Sequence, residues 1–226
     1  MRVGLLVVAT GRYAEFVPSL MESARRWLLP GWEQRPLVFT DAGHILGAET
    51  RPWPHRKWPH GTLMRHHAYM GAAPHLLRQG LDFLIAMDAD MRFVGPVGEE
   101  VVSDLTATLH PGFVGKRGSY EADPRSVAYV APHEGTRYFC GGFLGGRPGR
   151  FLDLSRRIAL GVDADRRKGL TAEWHDEAHL NRQLIDTPPT RALSPAYCTP
   201  EGCDWFTPAE PARVLALAKP HAQLRA

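Results

Sequence analysis

Leu81-Asp82-Phe83-Leu84-Ile85-Ala86-Met87 reads as a strand that stops at Asp88-Ala89-Asp90. A near-continuous apolar run of this length is how a strand covered on both faces of a parallel sheet is written. Two upstream runs read the same way. Val3-Gly4-Leu5-Leu6-Val7-Val8-Ala9 ends at Thr10-Gly11, and Pro36-Leu37-Val38-Phe39 ends at Thr40-Asp41. Between them, Glu15 to Trp27 carries Phe16, Leu20, Ala24 and Trp27 at helical spacing. Thr62 to Gln79 reads as a second helix, with Pro74 as the place for a kink. Strands alternating with helices predict an α/β fold on a mostly parallel central sheet flanked by helices.

The second half breaks that rhythm. Leu109-His110-Pro111-Gly112, Gly141-Gly142 and Gly145-Gly146 read as tight turns, Phe151–Val162 as a helix, and Trp174 to Gln183 as a polar stretch. No flexible linker, repeat or low-complexity tract divides the chain, so 1–226 reads as one domain. With 44% apolar and 23% charged residues, 226 residues can bury a sizeable core. The net charge of +3 is too mild and too dispersed for a nucleic-acid footprint. Cys140, Cys198 and Cys203 make no disulfide framework and no CxxC pair, which fits a reduced compartment. The first apolar run lacks the basic head and cleavage site of a signal peptide. No stretch approaches the ~20 apolar residues of a membrane span. The expected location is the cytoplasm.

Chemistry concentrates in three places. Asp88 and Asp90 follow a strand, where ligands of open α/β sheets bind. Two carboxylates there can hold a hard divalent cation, which in turn neutralises phosphate oxygens of a nucleotide. The same tripeptide can be a pair of solvated acids, or a phosphatase pair whose first Asp attacks phosphorus. Phosphatases place that pair after the first strand, whereas here it follows the third. The second place is Trp174-His175-Asp176-Glu177-Ala178-His179. It can be a helix start whose acids favour the positive end of the helix dipole. It can also be a sugar platform with a carboxylate beside an anomeric carbon. A zinc pair from His175 and His179 lacks the HExxH pattern. The third is the glycine-rich run Tyr138 to Gly146, read as a tight loop that lets backbone approach a ligand. His110 alone reads as a structural histidine.

Taken in order, Phe39-Thr40-Asp41, Met87-Asp88-Ala89-Asp90-Met91-Arg92-Phe93, Thr108-Leu109-His110-Pro111-Gly112-Phe113, Gly141-Gly142-Phe143-Leu144-Gly145-Gly146, Trp174-His175-Asp176-Glu177 and Leu193-Ser194-Pro195-Ala196-Tyr197 resemble glycosyltransferase family 6. That family holds the blood-group A and B transferases, the α-1,3-galactosyltransferase and shorter bacterial relatives. The resemblance covers nearly the whole chain. It implies a GT-A-type nucleotide-sugar-binding fold, with a nucleotide-binding half (1–95), an acceptor and catalytic half (96–215) and a basic tail over the diphosphate (216–226). It implies retaining transfer of N-acetylgalactosamine or galactose from a UDP-sugar to the 3-hydroxyl of a galactosyl-terminated glycan.

By matching position, Val8, Ala9, Thr10 and Tyr13 would lie against the uridine. Asp88 and Asp90, with Ala89 between them, would hold Mn²⁺ (or Mg²⁺) on the diphosphate. Arg65, Cys140, Gly141, Gly142 and Asp176 would line the donor, and Lys219 and Arg225 would close over it. His110, Ser119, Trp174 and Glu177 would face the acceptor or the reacting carbon, with Glu177 catalytic. Glu177 would act as a covalent nucleophile or as a charge in a same-face substitution. Many bacterial relatives carry Asn-x-Asn in place of Asp88-Ala89-Asp90 and need no metal; the acids here imply metal dependence. Gly142 in this family goes with an N-acetylgalactosamine donor. An acceptor-binding Asp of the vertebrate pattern is replaced by Pro200, with Glu201 beside it. The absent anchor and stem imply a bacterial-type cytosolic enzyme. The remaining readings are a silent glycan- or nucleotide-binding protein, or a metal-dependent sugar-nucleotide hydrolase or phosphatase.

Overall fold

A computed structural model describes residues 1–220 and 224. In chain order the elements are β1 (Arg2–Val8), α1 (Val17–Trp27), β2 (Glu33–Thr40), β3 (Glu49–Pro52), α2 (His60–Leu63), α3 (Arg65–Arg78), β4 (Phe83–Asp88), β5 (Met91–Phe93), β6 (Leu105–Leu109), β7 (Phe139–Gly146), α4 (Pro148–Arg167), α5 (His175–Asp186), β8 (Arg191–Leu193), β9 (Thr199–Pro200) and β10 (Val214–Ala216). Seven strands form the main sheet in the order β3-β2-β1-β4-β7-β6-β8, and β5-β10-β9 form a small second sheet. β3, β2, β1 and β4 run parallel, as the apolar runs predict. β7 lies antiparallel between β4 and β6, and β8 is parallel to β6.

Both faces of the sheet are covered, which is why β1 and β4 read as unbroken apolar runs. Leu5, Val7, Ile85 and Met87 point into one cluster with Leu20 and Ala24 of α1. Leu6, Leu84 and Ala86 point into the other, against Tyr69 and Leu76 of α3 and Phe151 and Ile158 of α4. β3 carries Glu-Thr-Arg-Pro, so this edge strand has no apolar signature and is hidden in the irregular stretch of the sequence.

Three expectations are corrected. The helix over Thr62–Gln79 is broken at Met64, not at Pro74: α2 ends at Leu63 and α3 starts at Arg65. Pro74 sits on the exposed side of α3 without ending it. Gly141 to Gly146 are not turns but the body of β7. A Cβ on Gly145 would lie 2.8 Å from the Phe83 ring, and one on Gly146 would lie 2.8 Å from the Asp104 carbonyl. These glycines let β7 press against its neighbours. The polar stretch from Trp174 is the amphipathic helix α5, whose Ala178, Leu180 and Leu184 are buried.

Candidate active site

β1 and β4 end side by side, with Val8 level with Asp88. Beyond these ends the chain turns away, and β7, α5 and the segment before α2 close a cleft of about 380 Å³. Val8, Thr10 and Tyr13 line one end of it, and Arg65, Asp88, Ala89, Asp90 and Gly141 line the middle. His110, Trp174, Asp176 and Glu177 form the far wall, and Lys219 reaches in from the C-terminal segment. Residues far apart in sequence are thus brought together as expected.

Arg65 organises the middle. Its Nη1 donates to Asp88 Oδ1 at 2.5 Å and to the Gly141 carbonyl at 3.2 Å, while Nε lies 2.9 Å from Asp176 Oδ2. Burial works against the Arg65 charge, but Asp176 and Asp88 hold it fully protonated. Asp176 Oδ1 is buried and makes no well-aligned hydrogen bond among the described residues, although the Asp176 and Glu177 N–H groups face the carboxylate. Burial pushes the Asp176 carboxyl up to about 6, with Arg65 opposing and Asp88 adding to the rise.

Glu177 sits beside this group through a strand irregularity. β6 pairs Ala107 with Leu144 but Thr108 with Cys140, so the residues between bulge out of register. The Gly141 N–H there donates to Glu177 Oε2 at 2.8 Å. Burial pushes Glu177 up to about 7; the Gly141 bond opposes this and the neighbouring Asp176 reinforces it. Asn181, one helical turn on, clamps α5 to the same strand. Its amide nitrogen donates to the Phe139 and Glu177 carbonyls at 2.8 and 2.9 Å, and its oxygen accepts from the Phe139 N–H at 2.8 Å.

The helix opens on His175, whose φ of 56° is left-handed and strained for a residue with a Cβ. Its ring meets Trp58 edge-on at 5.2 Å. His179 instead faces Asp165 at 3.5 Å, so the two imidazoles do not converge and no zinc pair forms. His110 Nδ1 accepts from the Gly112 N–H at 3.0 Å. Burial depresses its ionisation to about 4, leaving a neutral ring whose proton is on Nε2, ready to donate.

Asp90 is nearly wholly buried and pairs with the ammonium of Lys219. That ammonium also lies 5.7 Å from the Tyr13 ring centroid, so the C-terminal segment folds back over the strand ends. Among the described residues no group of three or more His, Cys, Asp or Glu could hold a metal ion by itself. Asp88 and Asp90 supply two carboxylates, and a divalent ion there would take its other oxygens from a phosphate or water.

Other expected residues lie elsewhere. Ala9 is buried in the core beneath the cleft. Ser119 accepts from Trp174 Nε1 at 2.8 Å and so holds the indole instead of lining the cleft. Cys140 and Gly142 are buried next to the cleft wall. A Cβ on Gly142 would lie 3.2 Å from Cys198 Sγ and 3.5 Å from Asp88 Oδ2. Arg225 lies outside the described residues. Conversely, His55, Arg56, Lys57, Trp58, Gly61 and Thr62 line the cleft although no motif marks them. His55 Nδ1 sits 3.2 Å from Thr10 Oγ1. The run of basic residues and Trp-Pro pairs in this irregular stretch is the only sequence signal they leave.

Carboxylates, a buried arginine and a half-exposed tryptophan at the carboxyl edge of an open α/β sheet make a site of the glycosyltransferase class. The chain belongs to glycosyltransferase family 6, whose family model matches residues 1–226. It is 30% identical over 208 residues to globoside alpha-1,3-N-acetylgalactosaminyltransferase 1 of Homo sapiens, covering 86% of this chain and 60% of that protein. It is 32% identical over 238 residues to histo-blood group ABO system transferase 1 of Rattus norvegicus, covering 99% of this chain and 68% of that protein. To alpha-1,3-galactosyltransferase 2 of Homo sapiens it is 30% identical over 217 residues, covering 87% of this chain and 62% of that protein. The chain therefore spans between 60% and 68% of the length of these relatives. No described helix is long and apolar enough to cross a membrane.

Proposed function

We propose that the chain is a retaining transferase that moves N-acetylgalactosamine or galactose from a UDP-sugar to the 3-hydroxyl of a galactosyl-terminated glycan. The observation that carries this is the buried Glu177 carboxylate, fixed by the Gly141 N–H beside the Asp88–Arg65–Asp176 group in one cleft. The names of the relatives support the α-1,3 linkage and both donor sugars.

Val8, Thr10 and Tyr13, which line the cleft, hold the nucleoside, with His55 buttressing Thr10. The Asp176 carboxylate, which borders the cleft, accepts a donor-sugar hydroxyl. Cleavage of the sugar–diphosphate bond leaves positive charge on the anomeric carbon, which Glu177 meets as nucleophile or as adjacent charge. Negative charge grows on the departing diphosphate, where Lys219 supplies an ammonium. Trp174, held by Ser119, and His110 with its free donor face the acceptor. Asp88 and Asp90 fit a Mn²⁺ or Mg²⁺ ion: Asp90 already faces a cation, Lys219, and both carboxylates border the same cleft. When bound, such an ion would add charge neutralisation at the diphosphate.

The bare Gly142 supports N-acetylgalactosamine as donor, since a methyl there would be tight against Cys198 and would take up room beside Asp88. The free thiols Cys140, Cys198 and Cys203 support the cytoplasmic location we assign. The test is transfer from UDP-N-acetylgalactosamine and UDP-galactose to fucosylated and unfucosylated galactosides. UDP release that acceptor fails to accelerate contradicts the transferase reading and favours a hydrolase.

A further inference from the structure

His110 precedes a tight turn, Pro111–Phe113, and faces the cleft. On the other side of that turn lies a second groove of about 380 Å³, lined among others by Pro111, Gly112, Val114, Pro195, Trp205 and Phe206. Its apolar side chains face solvent: Trp205 is 61% exposed and Val114 52% exposed. Nothing in the donor chemistry uses them.

Gly112 is the thin wall between the two spaces. A Cβ built there would lie 3.2 Å from the His110 ring and 3.9 Å from Trp205 Cζ3. The edge of the Trp205 indole thus lies against the turn that carries the acceptor-facing imidazole, and any side chain at 112 would thicken the wall. We infer that this groove holds the next sugar of the acceptor, on the reducing-end side of the reacting galactose. The inference rests on the galactoside-acceptor reading above.

The chemistry suits a neutral pyranose. One face of the ring presents C–H groups to the exposed indole, while its hydroxyls stay in water or meet Lys116 at the groove's rim. The continuity across Gly112 fixes which sugar this is. A chain whose terminal galactose faces His110 would leave the cleft past that turn, with its next sugar on the Trp205 side of Gly112.

Two acceptor pairs test this with the full chain: methyl β-galactoside against lactose, and the 2-O-fucosylated form of each. Trp205→Ala should raise KM for the disaccharide-core acceptors about five- to ten-fold, the loss of a modest aromatic contact. It should leave the methyl galactosides and donor hydrolysis unchanged, and Trp205→Phe should restore most of the loss. Trp205 is exposed, so folding is not at stake. An equal effect on long and short acceptors, or none, overturns the inference and leaves the transferase reading intact. Absence of transfer by the unmodified chain to every one of the four overturns both. Self-association that Trp205→Ala abolishes, with both acceptor lengths treated alike, assigns the groove to a second copy of the chain and overturns the inference.

Discussion

The guanidinium of Arg65 lies between the carboxylates of Asp88 and Asp176, 2.5 Å from one and 2.9 Å from the other, with its side chain 11% exposed. One cation therefore fixes the spacing between the end of β4 and the start of α5 across the cleft. Removing it leaves the buried Asp176 carboxylate without its cation, beside a partly exposed Asp88. Arg65→Ala should cost about 3–5 kcal/mol of stability, the range for breaking a buried ion pair from one side. Arg65→Lys should fold but lose at least about a hundred-fold in transfer, because a single ammonium cannot reproduce the fork. Thermal unfolding and initial rates read the two effects; full activity in Arg65→Lys would contradict the bridging role.

Glu177 gives the pH dependence its sign. In the proposed mechanism the base form is the working form, and burial raises its ionisation to about 7. Transfer kcat/KM should therefore climb with pH and level off above about 7. Stability should run the opposite way. The folded state holds these protons more tightly than the unfolded chain, so stability is lost as pH rises from the ordinary carboxyl range through about 7. The ligand-free Tm should fall between mildly acidic and mildly basic buffer, and fall less in Glu177→Gln. That variant should also lose transfer while still binding UDP, read by calorimetry.

The proposed metal role of Asp88 and Asp90 is open to a direct test. A chelator should remove activity and Mn²⁺ should restore it, with no loss of fold by circular dichroism, because Asp88 and Asp90 are already paired with Arg65 and Lys219. Full activity in chelator sinks the metal reading. Asp90→Asn should weaken Mn²⁺-dependent UDP binding more than Mn²⁺-free binding.

Asn181 should act through Glu177 and not through the substrates. It does not line the cleft, yet two of its hydrogen bonds tie α5 to Phe139 at the bulged end of β7 and the third holds the Glu177 carbonyl within α5. Asn181→Asp keeps the shape but replaces the donor to two carbonyls with an acceptor. A kcat loss of about ten-fold or more, with donor KM little changed, is the expected split. A rise in KM alone would show that α5 had moved as a whole.

How much of this was legible depended on range. The strands Val3–Val8 and Phe83–Asp88 were readable because burial on both faces writes an uninterrupted apolar run. Asp88 and Asp90 were readable because they stand at the end of such a run, and Asp176 and Glu177 because acids beside a Trp mark a helix start. β7 was misread because six glycine and aromatic residues in eight look like a turn, whereas they record how closely β4 and Asp104 approach.

By itself the sequence determined the parallel half-sheet, the acids at its carboxyl edge and the family. The tertiary structure decided what those acids meet. Arg65 joins Asp88 to Asp176 only because α3 packs beside the ends of β1 and β4 while α5 returns across β7. The bulge, which depends on the pairing of β6 with β7, is what leaves the Gly141 N–H for Glu177. His55 to Trp58 enter the cleft from an irregular stretch with no helical or strand periodicity. Periodicity records whether a segment is buried; which segments bury one another is set by long-range packing, and the site is made of those meetings.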